Sequence, residues 1–81
     1  DPNGAESLAE AAKFYASIGR PDRSETLLDR FYALDSTAPG GWQMVADAHE
    51  QLGRHSAAER IRECLDENRQ QSIGVGCVNR P

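Results

Sequence analysis

The chain has 81 residues, with 13 acidic against nine basic side chains and a net charge of −4 at pH 7. This length allows one small domain at most. No apolar run approaches the roughly 18 residues of a membrane-spanning helix, and an acidic chain is poorly suited to contact nucleic-acid phosphates. Without a signal-peptide pattern, we expect an intracellular, cytoplasmic protein, with an organelle as the alternative.

Most of the chain consists of two copies of one unit. The second copy follows the first at a constant sequence offset, which equals the separation between Gly19 and Gly53. The identities at this offset are Gly19-Arg20 with Gly53-Arg54, Ala12 with Ala46, and Glu25 with Glu59. Apolar residues keep the same phase over the same window. We therefore expect the structure of the first copy to recur in the second.

The first copy, residues 6–35, predicts a helix-turn-helix unit after a turn or frayed end at 1–5. One helical face carries apolar residues at helical spacing, namely Leu8, Ala11, Ala12, Tyr15 and Ile18. Gly19 is expected to end this helix, because glycine is common just past a helix C-terminus. Asp22 and Glu25 have the spacing of a capping box that opens the second helix.

Residues 36–41 predict a short turn between antiparallel neighbours. The second copy, residues 42–71, repeats the apolar stripe with Trp42, Val45, Ala46, His49 and Leu52. Its helix stop and capping box follow at Gly53, Ser56 and Glu59. Residues 72–81 lose the helical period and predict an extended tail. The expected fold class is all-α, with two antiparallel helix-turn-helix repeats forming a fragment of an α-solenoid.

Small residues stand where the two helices of each hairpin must approach each other. Ala12 with Ser24, and Ala46 with Ala58, allow a close contact because large side chains would hold the helices apart. Two repeats bury little surface on their own, so we expect Leu34, Phe31 and the last helix to stay partly uncovered.

The repeat unit resembles the tetratricopeptide repeat family, whose pattern runs W-x-x-L-G-x-x-Y, then A-x-x-x-F, then P. The matching positions of the second copy are Trp42, Val45, Ala46, His49 and Ala58, and those of the first are Leu8, Ala11, Ala12, Tyr15 and Ser24. The resemblance covers residues 6–70 and departs from the pattern at Arg62 and Gln70, where an aromatic residue and a proline are usual. It implies a protein–protein interaction or scaffold module whose first helices line a groove.

A second resemblance is to the terminal repeats of plant organellar pentatricopeptide proteins. Gly53-Arg54, Ile61-Arg62 and Gly76-Cys77 stand in comparable places. That family implies organellar RNA editing. The acidic balance and the single lysine make a nucleic-acid partner the less favoured alternative.

The cysteines and histidines lack metal-ligand spacing. Cys64, Cys77, His49 and His55 are zinc-ligand types, but the chain has no C-x-x-C and no H-x-x-x-H pair. Cys64 is interpreted as a small buried apolar residue, and a Cys64–Cys77 disulfide is disfavoured in an intracellular protein. No nucleophile elbow or phosphate loop occurs, so we expect no cofactor, no metal and no enzyme activity.

The resemblance implies that the remaining functional surface is the groove. The groove positions that it assigns to partner binding are Glu6, Glu10, Lys13, Gln43, Met44, Asp47 and Glu50, with Ala9, Ala16 and Gln51 on the same side. Four acids against one lysine favour a basic peptide or protein surface. The alternatives are a merely solvated face, a face covered by flanking repeats of the same chain, or a structural subunit of a large assembly whose groove is permanently filled.

Overall fold

The computed structural model describes the backbone of residues 4–34 and 39–71 and the side chains up to Asp66. These residues form four helices: α1 Ala5–Ser17, α2 Pro21–Ala33, α3 Pro39–Gln51 and α4 His55–Gln71. We call α1 with α2 hairpin 1, and α3 with α4 hairpin 2. The described ranges contain no strand, so the all-α expectation is confirmed. The tail expected at 72–81 lies outside the described residues.

The first helices of the two hairpins form the centre of the structure. α1 packs against both α2 and α3, and α3 packs against α1 and α4. The buried residues of α1 are all alanines: Ala5, Ala9, Ala12 and Ala16. Such small side chains let the neighbouring helices approach closely on two sides of α1. None of the described helices has the length and apolar character needed to cross a membrane.

Both hairpins turn in the same way, at equivalent positions of the repeat. Gly19 and Gly53 have φ angles of 79° and 81°, which glycine adopts without a steric cost. The N–H of Arg20 donates to the carbonyl of Tyr15 at 2.9 Å, and the N–H of Arg54 donates to that of His49 at 2.8 Å. A second, shorter-range bond runs from each glycine N–H, which completes a Schellman motif in both hairpins. The predicted helix stops are thus confirmed.

The predicted close contact inside hairpin 1 is also present. Ser24 is fully buried, and its hydroxyl donates a hydrogen bond of 2.8 Å to the carbonyl of Ala12. Ala46 and Ala58, the equivalent residues of hairpin 2, are buried as well. Ser24 keeps its buried hydroxyl at little cost because it has this partner.

Trp42 joins the two hairpins. Its buried ring meets the ring of Phe31 edge-on at 4.8 Å and stacks on that of Tyr32 at 5.8 Å. The expectation of partial exposure is wrong for Phe31, because the Trp42 ring lies against it and no part of Phe31 is exposed. Leu34 is partly buried, as expected. The hairpins therefore share one core rather than two separate ones.

Helix starts differ from the predicted ones. α3 begins at Pro39, so the last part of the turn expected at 36–41 belongs to its first turn, where proline is well tolerated. α2 begins at Pro21 with Arg20 as N-cap and no side-chain cap hydrogen bond. The predicted Asp22 capping box is therefore wrong, because Asp22 already lies inside the helix. Ser56 likewise lies inside α4, which begins at His55.

Candidate functional site

The predicted partner-binding residues lie on one side of α1 and α3. Glu6, Glu10 and Lys13 follow each other at i, i+4 and i+7 on α1, and Gln43, Asp47 and Glu50 do so on α3. Met44 is half-buried and packs against the core. We call the seven residues the acidic strip. Ala9 and Ala16, expected beside them, are buried instead, because the faces on which they lie pack against neighbouring helices.

An ion pair between Lys13 and Asp47 connects the two halves of the acidic strip. Lys13 Nζ lies 3.2 Å from Asp47 Oδ2, and both side chains remain well exposed. Since α1 carries the lysine and α3 the aspartate, the contact spans the packing interface of the two central helices. The sequence places these residues on the same surface, and the structure brings them into contact.

Arg62 of α4 extends this contact into a network, and sequence reasoning did not assign it to the surface. Its guanidinium donates to Glu50 Oε1 at 2.7 Å and to Asp47 Oδ1 at 2.9 Å. Glu50 Oε2 also contacts His55 Nδ1. Arg62 aligns with Leu28 of the first copy, at a position that the repeat pattern predicts to lie on the inner face of the helix. A cation at such a position is the sequence feature that could have indicated this role.

The network changes the electrostatics of the strip. Hydrogen bonds to Arg62 and then His55 lower the pKa of the Glu50 carboxyl. The hydrogen bonds that Arg62 donates to Glu50 and Asp47 raise the pKa of Arg62. With Arg62 included, the surface still carries four carboxylates against two full cations. It is therefore acidic, but two of its acids already have cationic partners within the chain.

Glu6 is directed at the start of α3. Its carboxylate lies where a side chain at Gly40 would stand, and its Cγ is 3.7 Å from the place of a Cβ at Gly41. A carboxylate near the first turn of a helix is favourable because that turn has unpaired N–H groups. Glu6 therefore has a role within the fold as well as a place on the surface.

A shallow pocket of about 450 Å³ opens beside the strip, between α3 and α4. Its lining residues are Gln43, Asp47, Arg62, Leu65 and Asp66. Both signs of charge occur on its wall, so it suits a polar or zwitterionic group better than an apolar one. In the part of the chain that the structure describes, no group of three or more His, Cys, Asp or Glu residues is placed to hold a metal ion.

Cys64 corrects one interpretation. It is buried, as expected, but it is disulfide-bonded rather than a free thiol. Cys77, the other cysteine of the chain, lies outside the described residues. Cys64 therefore takes part in a disulfide, a state that the sequence analysis disfavours.

Comparison with known proteins adds no relative. No family model matches the chain, and neither the curated proteins nor the solved structures gave a match.

Proposed function

We propose that this chain is a non-catalytic protein-interaction module of the tetratricopeptide type, whose acidic strip binds a basic segment of another protein. The observation that carries the proposal is the Lys13–Asp47 contact, which joins the polar faces of α1 and α3 into one continuous surface. A surface that spans both repeats suits an extended segment, because such a segment meets several side chains in succession.

The internal ion pairs leave the strip able to bind. The Lys13, Asp47 and Arg62 side chains are each between about one third and one half exposed. Exposed pairs of this kind contribute about 0–1 kcal/mol, so an incoming arginine or lysine can replace an internal partner at little cost. Glu10, exposed on the same face of α1, has no ion-pair partner in the described part of the chain.

Titration with a labelled polyarginine peptide tests this proposal. We expect saturable binding that weakens with added salt, since screening acts within about 8 Å at physiological ionic strength. The variants Glu10→Gln and Asp47→Asn should each weaken binding by about two- to fivefold. The matched control is Asp29→Asn, at an exposed position of α2. This variant also removes one negative charge, but at a site outside the acidic strip.

The variant Arg62→Gln should have the opposite effect and strengthen polyarginine binding. This change frees the Asp47 and Glu50 carboxylates from their shared cation, so polyarginine should bind more tightly. If Asp29→Asn and Asp47→Asn weakened polyarginine binding equally, the binding would depend only on the overall charge of the chain. That result would contradict the proposal. If the chain bound a single-stranded RNA saturably and did not bind the peptide, the proposal would be contradicted. The chain would then be an RNA-associated module.

A further inference from the structure

Hairpin 1 has an outer face that combines exposed apolar side chains with arginines. Phe14 and Ile18 are 55% and 53% exposed and are the large apolar residues that the described structure leaves open. A pocket of about 410 Å³ between α1 and α2 lies on this hairpin, and its wall is formed by Tyr15, Asp22, Arg23, Thr26, Leu27 and Arg30. We define the outer face as Phe14, Tyr15, Ile18, Arg23, Leu27 and Arg30.

The internal repeat indicates what covers such a face. Shifted by one repeat length, Phe14 and Tyr15 correspond to Ala48 and His49 of α3, which are both buried. His49 is buried because hairpin 1 packs against it, with the Tyr32 ring stacked on its imidazole. The outer face of α1 is therefore equivalent to the surface of α3 that packs against a neighbouring hairpin. In the described structure no hairpin packs against this face of α1.

An ion pair marks the same interface. Arg54, which follows the Gly53 turn, donates to both carboxylate oxygens of Glu25 on α2, each at 2.7 Å. Its repeat equivalent is Arg20. In the described structure the Arg20 side chain pairs with the exposed Asp22, two residues further along in the first turn of α2, at 3.6 Å. Arg20 therefore stands at the position of Arg54 but lacks the bidentate contact that Arg54 makes with a carboxylate of a neighbouring hairpin.

The opposite end of the stack is different. Tyr32, whose ring contacts Trp42 and His49 of hairpin 2, corresponds to the exposed Asp66 of α4. A charged residue at this position is expected at the end of a repeat stack. A second copy of the chain cannot supply the missing neighbour, because its own α3 covers the receiving face of its hairpin 1.

We propose that the outer face of hairpin 1 is a docking site for a further α-helical hairpin of the hairpin 1 type, which places a carboxylate against Arg20. The occupant has an apolar face of small residues and leucine or aromatic side chains, together with acidic residues that complement Arg20, Arg23 and Arg30. The interface continues the one already formed between hairpins 1 and 2. This inference concerns a surface other than the acidic strip and does not depend on the proposed function.

A tandem variant tests this directly. A second copy of residues 5–38, which is one repeat length, is placed immediately ahead of Ala5 in the full chain. We expect one cooperative thermal transition with a midpoint raised by about 5 °C or more, because stacked repeats stabilise their neighbours. Phe14→Glu or Arg20→Ala in the original hairpin should abolish most of this increase.

The matched control is Phe14→Glu in the added hairpin, where the same residue stays exposed and the midpoint should not change. In the 81-residue chain Phe14→Glu should also leave the midpoint unchanged, which excludes a folding defect. If the added hairpin melts in a separate transition and the rest of the chain keeps its original midpoint, the proposal is overturned. Concentration-dependent dimerisation of the natural chain that Phe14→Glu removes would also overturn it, because the occupant would then be a second copy.

Discussion

The hydroxyl of Tyr32 on α2 and Nε2 of His49 on α3 share a hydrogen bond of 2.7 Å across the two hairpins. Nδ1 of His49 is buried, and no described residue gives it a hydrogen-bond partner. Burial lowers the pKa of His49, and it raises the pKa of Tyr32 to about 12. The tautomer that fits these surroundings carries its proton on Nε2, donates it to the Tyr32 hydroxyl and leaves Nδ1 without a proton. Protonation would add an N–H at Nδ1 that is buried without an acceptor, which favours the neutral imidazole.

We predict that acidification weakens the fold through His49. In the unfolded chain this histidine has its ordinary pKa of 6.5, whereas in the folded chain its pKa is lower. The unfolded state therefore binds more protons below about pH 6.5, and the free energy of unfolding falls as the pH drops from there. Above pH 6.5 the contribution of His49 is fully present. Urea unfolding between about pH 7.5 and 5 measures this change.

The comparison of two histidine variants isolates the effect. His49→Gln should flatten the pH dependence in this window, although it lowers stability at every pH by removing a buried ring. His55→Gln, at an exposed position, is the control for the other histidine of the chain. An equally steep decline in His49→Gln would show that other groups cause the acid sensitivity.

Ser24 provides a prediction about the close approach of α1 and α2. Ser24→Ala removes one buried hydrogen bond to the Ala12 carbonyl and should lower the free energy of unfolding by about 1 kcal/mol. Ser24→Leu should cost about 1–3 kcal/mol or more, because no space exists for the added carbons. Ala58→Leu, at the equivalent position of hairpin 2, should behave like Ser24→Leu. A tolerated leucine at either site would contradict the close-contact argument.

The sequence predicts what depends on local chemistry and repetition. The glycine turns at Gly19 and Gly53 and the small pair of Ala12 and Ser24 follow from residue type and helical spacing alone. The capping box in hairpin 1 was wrong because α2 already starts at Pro21, ahead of Asp22, at a position that the fixed φ angle of proline favours. Spacing cannot distinguish the N-cap from the second helical position when proline precedes an acidic residue.

The candidate site is predicted in outline but not in its contacts. Helical spacing is enough to place Lys13 and Asp47 on adjoining surfaces. It does not reveal that Arg62, from another helix, bridges Asp47 and Glu50, because long side chains from three helices meet only after packing fixes the helix positions. Phe31 is the same kind of case, since its burial depends on Trp42, which belongs to the other hairpin.

The state of Cys64 gives a chemical prediction. We expect no thiol to react with Ellman's reagent in the denatured, unreduced chain, and two to react after reduction, because Cys64 is disulfide-bonded and the chain has two cysteines. A thiol that titrates without reductant would contradict the bond. Disulfides persist in oxidising compartments, so a confirmed bond would count against the cytoplasmic expectation.

Two adjacent glycines in the first turn of α3 should respond differently to the same substitution. A Cβ at Gly41 would lie 3.0 and 3.3 Å from carbons of the fully buried Phe31 ring, which cannot move without disturbing Trp42. Gly41→Ala should therefore lower the free energy of unfolding by about 1–3 kcal/mol. At Gly40 the obstructing atom is the end of the flexible Glu6 side chain, which can rotate away.

Gly40→Ala should consequently be neutral, or stabilising by up to about 1 kcal/mol, because alanine favours the helix. Thermal unfolding of both variants, with Glu6→Gln as a third, separates the steric cause from the electrostatic one. If Glu6 contributes mainly by its charge near the α3 N-terminus, Glu6→Gln should lower stability by about 0.3–1 kcal/mol. Equal losses for Gly40→Ala and Gly41→Ala would show that backbone placement, not the Phe31 ring, decides this turn.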